Sequence, residues 1–173
     1  MSPIQAASMR DTMRFWASGV AVVSSADDTC RAGMTVSAFN SLSLEPSLIL
    51  VCLKKNTRTT QVIENSGVFS VSILGADQVE LSDRFAGRVP LTDGEDRFDG
   101  ISVFSAETGS PILGDALAWV DCKVHDIHDG STHWIVIGEV LMAGCPTAND
   151  ESPLVYFNRG YHALAPLTET SVR

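Results

Sequence analysis

Residues 33–60 read GMTVSAFNSLSLEPSLILVCLKKNTRTT, and this stretch decides how the rest of the chain is read. It opens with a strand-like run of small and hydroxyl-bearing residues, 33–40, followed by an apolar strand, 48–53. Then come Lys54, Lys55 and Arg58, three of the chain's twelve cations within five residues, in a protein whose net charge is -9. Positive charge gathered beside Asn56 and the Thr57 and Thr59 hydroxyls suits a small anion, not a polymer. The same residues open a helix. Asn56 or Thr57 can cap it, and the free N–H groups of a first turn attract phosphate. A solvated basic turn is the alternative that the local sequence leaves open.

Composition narrows the classes. A chain of 173 residues predicts one domain, 1–173, with room for a real core. Hydrophobic content of 45% against 19% charged describes a globular protein. The acidic balance excludes a nucleic-acid partner, which needs a basic face. No apolar run approaches the roughly 20 residues of a membrane span. The start of the chain carries Arg10, Asp11 and Arg14 and does not read as a signal peptide, so a cytoplasmic location is expected. Cys30, Cys52, Cys122 and Cys145 show no CxxC spacing, and Cys52 and Cys122 lie in apolar strands. They read as reduced and inert. The 13 glycines form neither GxGxxG nor a P-loop, which argues against a Rossmann domain. HExxH and GxSxG are also absent.

Ser2-Pro3 reads as a helix start, with Met9, Met13 and Trp16 on one stripe and Gly19 ending the helix. Strands are expected over 20–25, 33–40, 48–53, 68–74, 118–128, 133–143 and 154–158. Short helices fit 57–66, closed by Gly67, and 77–86, closed by Gly87. Many strands and few helices, without βαβ alternation, predict a mainly β protein built as an antiparallel barrel. Residues 87–114 are Gly/Pro-rich and acidic and read as an excursion over the barrel that contributes to a site. Asp129-Gly130 suits a two-residue hairpin turn. That register pairs Asp126 with His133, Val124 with Ile135 and Cys122 with Ile137. It puts Cys122, Val124, Ile135 and Ile137 in the core, with Asp126 favouring a protonated His133 at the rim. His125 and His128 then point to opposite faces of one strand, so no metal site is expected.

The segments FWASGVAVVSS (15–25), GMTVSAF (33–39), LKKNTRT (53–59), LSDRFAG (81–87), DRFDG (96–100), ALAWVDCKV (116–124), THWIVIGEV (132–140) and PLVYFNRGYH (153–162) carry a resemblance. In this order, over nearly the whole chain, they resemble the flavin reductase-like family, the small reductase partners of two-component flavin monooxygenases. The resemblance implies an FMN-binding split barrel of Greek-key antiparallel strands, six in number, dimeric, with flavin near the subunit interface. Met34, Thr35, Val36, Ser37 and Ala38 match the strand that meets the flavin ring, with Ser37 where the family often has Asn. Ser41 and Ser43 continue that wall. Lys54, Lys55, Asn56, Thr57 and Thr59 match the segment that contacts phosphate and ribityl, Thr57 standing in for a serine. His133 matches a histidine near flavin and nicotinamide. Tyr156 and Arg159 match the closing C-terminal segment, and Arg84 becomes a candidate contact for phosphate or adenine. The implied activity is NAD(P)H:flavin oxidoreductase. Hydride passes from NADH or NADPH to FMN or FAD, His133 positions the partners, and reduced flavin leaves for a flavin-dependent monooxygenase. Two other readings stay open: a non-enzymatic flavin-binding barrel for storage or sensing, and a groove for heme, against which no axial ligand is clearly placed.

Overall fold

The apolar run from Val20 to Ser25 is buried at every residue, because it separates two cores. In the computed structural model, which describes residues 6–92, 95–145 and 152–166, the chain runs α1 (Ala6–Met13), β1 (Ser18–Gly19), β2 (Ala21–Ala26), β3 (Arg31–Val36), β4 (Phe39–Leu44), β5 (Ser47–Lys54), α2 (Arg58–Ser66), β6 (Val68–Ile73) and α3 (Val79–Phe85). It continues through β7 (Val103–Phe104), β8 (Ile112–Leu113), β9 (Ala118–Gly130), β10 (His133–Gly144), β11 (Leu154–Phe157) and β12 (Gly160–Ala163). Ala21 and Val23 of β2 face the barrel core with Val51, Leu53, Phe69, Val71 and Val136. Val20 and Val22 face the other way, onto Leu74, Phe85, Phe98, Leu113 and Leu154.

Seven antiparallel strands form the main sheet in the order β3-β2-β6-β9-β10-β5-β4. The expected strand over 33–40 is two strands, and they lie at opposite edges of that sheet. Only Ser37 and Ala38 join them. The three Cα steps from Val36 to Phe39 reach at most about 11 Å. A flat seven-stranded sheet would hold its edges roughly 29 Å apart at about 4.8 Å per gap. The sheet therefore curls until its edges meet, which makes it a split barrel, and a bond from the Cys52 N–H to the Ala38 carbonyl at 2.9 Å carries the β4–β5 ladder into the tether.

Six of the nine residues of helix α2, RTTQVIENS, are weaker helix formers. Its ends hold it. Thr57 accepts from the Thr60 N–H, Thr60 returns the bond, and Gly67 closes the helix at φ 69°. Its Ile63 enters the barrel core. α1 is shorter than expected, loosening into a turn at Trp16, and Gly19 lies in β1 and is not its end. Ser2-Pro3 lies outside the described residues. β1, β11 and β12 form a second small sheet.

The 87–114 excursion is pinned to the barrel. Arg31 Nε donates to Asp96 at 2.6 Å, and Arg84 donates to the Asp99 carbonyl at 2.7 Å. Phe85 and Phe98 pack edge to face at 4.9 Å. Gly33 is small for this reason: a Cβ there would stand 2.9 Å from both rings. The Cys122 thiol is fully buried in the barrel, and burial, with Asp121 beside it, pushes its pKa up to about 12.

The β9–β10 hairpin corrects the expected register. Its two-residue turn is Ser131-Thr132, with Ser131 at φ 68°, and His133 pairs with Gly130, Ile135 with His128 and Ile137 with Asp126. Asp129 prefers its side-chain bonds, accepting from the Ser131 N–H at 2.7 Å and from Lys55 at 2.8 Å. The expected Asp126–His133 pair does not form; Asp126 meets His128 at 3.2 Å instead. A bulge at His125 then shifts the phase, so Gly138 pairs with Val124 and Val140 with Cys122. Val124, Ile127, Trp134, Val136 and Val140 consequently pack on the core, and Ile135, expected inside, lines a cleft outside it. Gly138 makes room for Phe69: a Cβ there would sit 2.5 Å from the ring. We predict that Gly138→Ala costs about 1–3 kcal/mol through overpacking and lowers the melting midpoint by several degrees in scanning calorimetry. An unchanged midpoint would mean that the Phe69 ring moves freely.

Candidate functional site

The seam that closes the barrel is also its main opening. A cleft of about 710 Å³ lies along it. Met34, Thr35, Val36, Ser37 and Ala38 form one wall, Cys52 and Lys54 of β5 the next, and Gly130, His133 and Ile135 of the hairpin the third. Met9 and Met13 of α1 close the remaining side. Residues from four separate segments thus meet because the roll of the sheet brings the β3 edge back against the β5–β4 end. β3 pairs only with β2, so alternate backbone N–H and C=O groups of an edge strand face away from its partner.

The three neighbouring cations diverge. Lys54 lines the cleft. Lys55 turns to the hairpin, where its ammonium sits 2.8 Å from Asp129 and 3.9 Å from the centre of the Trp134 ring. Hydrogen bonds from Lys55 and from the Ser131 N–H hold the Asp129 carboxyl below its ordinary range. Arg58 and Thr59 line a different hollow of about 260 Å³, between β3 and the excursion. Asn56 adopts φ 60°, and Thr57 spends its hydroxyl on the helix cap. The expected single cradle of three cations is therefore divided. The strand exit sends consecutive side chains apart, and Asp129 captures one of them.

The other candidates also separate. His133 faces the cleft, its Nδ1 2.9 Å from the Thr132 hydroxyl. Tyr156 and Arg159 lie in an adjoining hollow of about 520 Å³, which shares Met13 and Ser37 with the cleft. Ser41 and Ser43, on β4 opposite Ile49 and Leu48, fall outside these hollows. Arg84 is turned to the backbone carbonyls of Asp96 and Asp99, so its head serves the excursion.

A third hollow of about 210 Å³ shares Thr35, Val36 and Ser37 with the cleft and adds Ser82, Arg88, Tyr156 and Tyr161. Beneath it runs a polar network. Thr35 donates to the Ser82 carbonyl at 2.7 Å, the Ser82 hydroxyl meets the Tyr161 OH at 2.8 Å, and that phenol donates to Asp83 at 2.9 Å. Burial raises the Tyr161 pKa, and the Asp83 carboxylate adds to it, so the phenol stays a donor at neutral pH. Sequence reading passed over Ser82, Arg88 and the α1 side chains. Nothing local marks them as site residues, although Arg10, Arg14, Arg84 and Arg88 are visible as charge.

A cleft at the seam of a split barrel, with an exposed edge of backbone, a lysine without an ion-pair partner among the described residues and a histidine opposite, has the size and polarity that suit a flat polar ring with an anionic tail. The flavin reductase like domain profile matches residues 13–165. The chain belongs to this family. It is 35% identical over 157 residues to the flavin-dependent monooxygenase reductase subunit HsaB of Rhodococcus jostii, covering 91% of this chain and 77% of that one. It is 37% identical over 155 residues to the FMN reductase (NADH) RutF of Agrobacterium fabrum, covering 90% and 86%. It superposes with a TM-score of 0.85, at 27% identity and 98% coverage of both chains, on the Streptomyces globisporus NADH:FAD oxidoreductase SgcE6 solved with NAD and FAD fragments. The expected family, fold and reductase class agree with these matches.

The divergence of the cations carries a prediction. Lys54→Ala should raise the KM for FMN about tenfold, the loss of one charge-assisted contact of roughly 1.4 kcal/mol. Lys55→Ala and Arg58→Ala should move it less than threefold. Steady-state kinetics with riboflavin, which has no phosphate, gives the control. Equal effects from all three would place the phosphate elsewhere.

Proposed function

We propose that this chain, acting as one domain over 1–173, reduces free FMN or FAD with NADH or NADPH and releases the reduced flavin to a separate flavin-dependent monooxygenase. The observation that supports this best is the seam cleft itself. It is open along its length, it is bounded by side chains and edge backbone, and it offers Lys54 for a phosphate. The cleft suits a flavin in size, since small-molecule pockets run to roughly 300–1,000 Å³, and its chemistry suits a flat polar ring with an anionic tail.

Flavin, when bound, supplies the hydride acceptor and the nicotinamide supplies the hydride. The protein's part is alignment. Met34 to Ala38 would hold the ring edge through backbone groups, with Ser37 where the cleft meets the hollows of about 520 and 210 Å³. Lys54, and with it Asn56, Thr57 and Thr59 at the α2 start, would steer the phosphate. His133 would orient the amide or carbonyl groups of the partners, and no side chain needs to serve as acid or base. Tyr156 and Arg159 would close the groove. Lys55, Ser41, Ser43 and Arg84 would act from a distance, Lys55 by fixing the hairpin that carries His133.

A homodimer fits the same reading. Leu48 pairs with Ser43 on one side and Glu139 on the other, so Leu44 and Leu141 extend from one end of the sheet. Leu44 is 82% exposed there, with Leu42, Leu141 and Met142 also uncovered, an apolar patch of the kind that a second copy covers. Among the described residues no helix is long and apolar enough to cross a membrane, and the four cysteines are free. Both accord with work in the cytoplasm beside the nicotinamide pool.

Three outcomes test the proposal. NADH or NADPH oxidation should depend on added FMN or FAD. Dialysis should strip flavin and activity together, and re-addition should restore activity. Flavin that survives exhaustive dialysis, with turnover indifferent to free flavin, would exclude a diffusible product. His133→Ala should slow flavin reduction in stopped-flow at saturating flavin at least fivefold, with flavin affinity changed less than twofold; an unchanged rate would return His133 to a structural role.

A further inference from the structure

Helix α1 has no core beneath it. Residues 7–17 are exposed at every position, and the helix has only eight residues. A helix of that length is marginal in water unless packing holds it. Met9, Met13, Phe15 and Trp16 are between 46% and 67% exposed. Met9 and Met13 nevertheless border the seam cleft, and Met13 and Trp16 border the adjoining hollow. The apolar side of α1 therefore spans open volume, not packed side chains.

The attachments of this segment come from one place. Among the described residues, hydrogen bonds from the rest of the chain reach residues 6–17 at two points. The Asn158 N–H donates to the Arg14 carbonyl at 2.9 Å, and Arg159 donates to Asp11 at 2.9 Å. Both donors belong to the β11–β12 turn, which holds Asn158 at φ 48° and Arg159 at φ 66°, the left-handed region. The ion pair is exposed on both sides, so it is weak and screened by salt. The chain is first anchored to a strand at Ser18, which pairs with Tyr156. Ala17, exposed and outside both α1 and β1, is where it can bend.

We propose that residues 6–16 form a lid over the seam cleft, hinged at Ala17 and latched by the β11–β12 turn, which closes on bound flavin and lifts before reduced flavin can leave. The proposal rests on the reductase reading, since it takes flavin to be what the cleft holds. The thioethers of Met9 and Met13 are flexible and soft, and a flat ring beneath them gives the lid an apolar contact that it lacks in the free protein. A ligand that adds contact only to the closed form shifts the lid toward closure. A weak latch lets the lid open again, as release of a product requires.

The test follows the lid and the flavin together. Hydrogen exchange of the full chain, read by mass spectrometry, should show amides 8–16 slowed about tenfold by saturating FMN, with β6 unchanged. Asp11→Asn removes the ionic latch and should speed FMN release in stopped-flow about threefold. Met9→Ala/Met13→Ala removes the underside of the lid and should speed release about tenfold. Exchange in β6 equal to that of the wild type shows that each variant keeps its barrel. Amides 8–16 that ignore FMN, or release rates unchanged in both variants, overturn the proposal. So does protection of 8–16 that is present without FMN and falls on dilution, because it gives the apolar side of α1 to a second copy. Failure of the reductase reading looks different. The wild type then neither quenches FMN fluorescence nor oxidises NADH, and the proposal goes with that reading. FMN binding and NADH turnover beside an indifferent lid remove the proposal alone.

Discussion

A two-residue tether between opposite edges of a sheet governs this molecule. Ser37 and Ala38 leave the seven strands no flat arrangement. The sheet has to roll until the β3 edge meets the end formed by β4 and β5, and the roll creates an inside and a seam. The inside fills with the alternate residues of every strand, which is why Val51, Leu53, Phe69, Val71 and Val136 share one core although they span 86 positions from Val51 to Val136. The seam stays incompletely bonded, and the exposed strand edge along it becomes the wall of the cleft. Closure and ligand site are consequences of one short connection.

The second core follows from the same geometry. A rolled sheet has an outer face, and β2 is apolar on both faces. Something must cover the outside of β2, and α3 with the excursion does so through Phe85 and Phe98. The arginines of those two motifs hold the cover down: Arg84 and Arg97 bond backbone carbonyls across it, and Arg31 on β3 grips Asp96. Arg84, which the resemblance offered as a ligand contact, is here a tether for a covering layer. Arg88, Ser82 and Tyr161 lie where that layer reaches the groove, so the network beneath the third hollow couples cover and site.

Much of the fold was legible in the chain because its signals are local. Thr57 and Gly67 mark the ends of α2 whatever surrounds them, and the apolar runs at 48–53 and 68–74 lie within a residue or two of β5 and β6. The run at 33–40 misled, since a bend at Ser37-Ala38 inside a small-residue strand leaves no Gly or Pro to announce it. The hairpin misled for a different reason. Asp129-Gly130 is a good turn, but Asp129 gains more from Lys55 and the Ser131 N–H, which lie beyond the reach of pattern reading. The bulge at His125 then reversed which face of β10 turns inward. For the site, residue types were readable and directions were not: Lys54, Lys55 and Arg58 part because each follows its own tertiary neighbour. Gly33 is small for the sake of two phenylalanines from other segments, a cause that the strand itself does not display.

Cys122 sits in the middle of the barrel with its thiol pKa pushed up to about 12. At neutral pH almost none of it is thiolate, and the thiolate is the form that peroxide attacks. A protein that handles reduced flavin in the presence of oxygen works beside a source of such oxidants. Packed against Phe69 and Gly138, this sulfur can serve as core filling without becoming a point of oxidative failure; the same dense packing that fixes the register of the hairpin also protects the protein's chemistry from its own by-products.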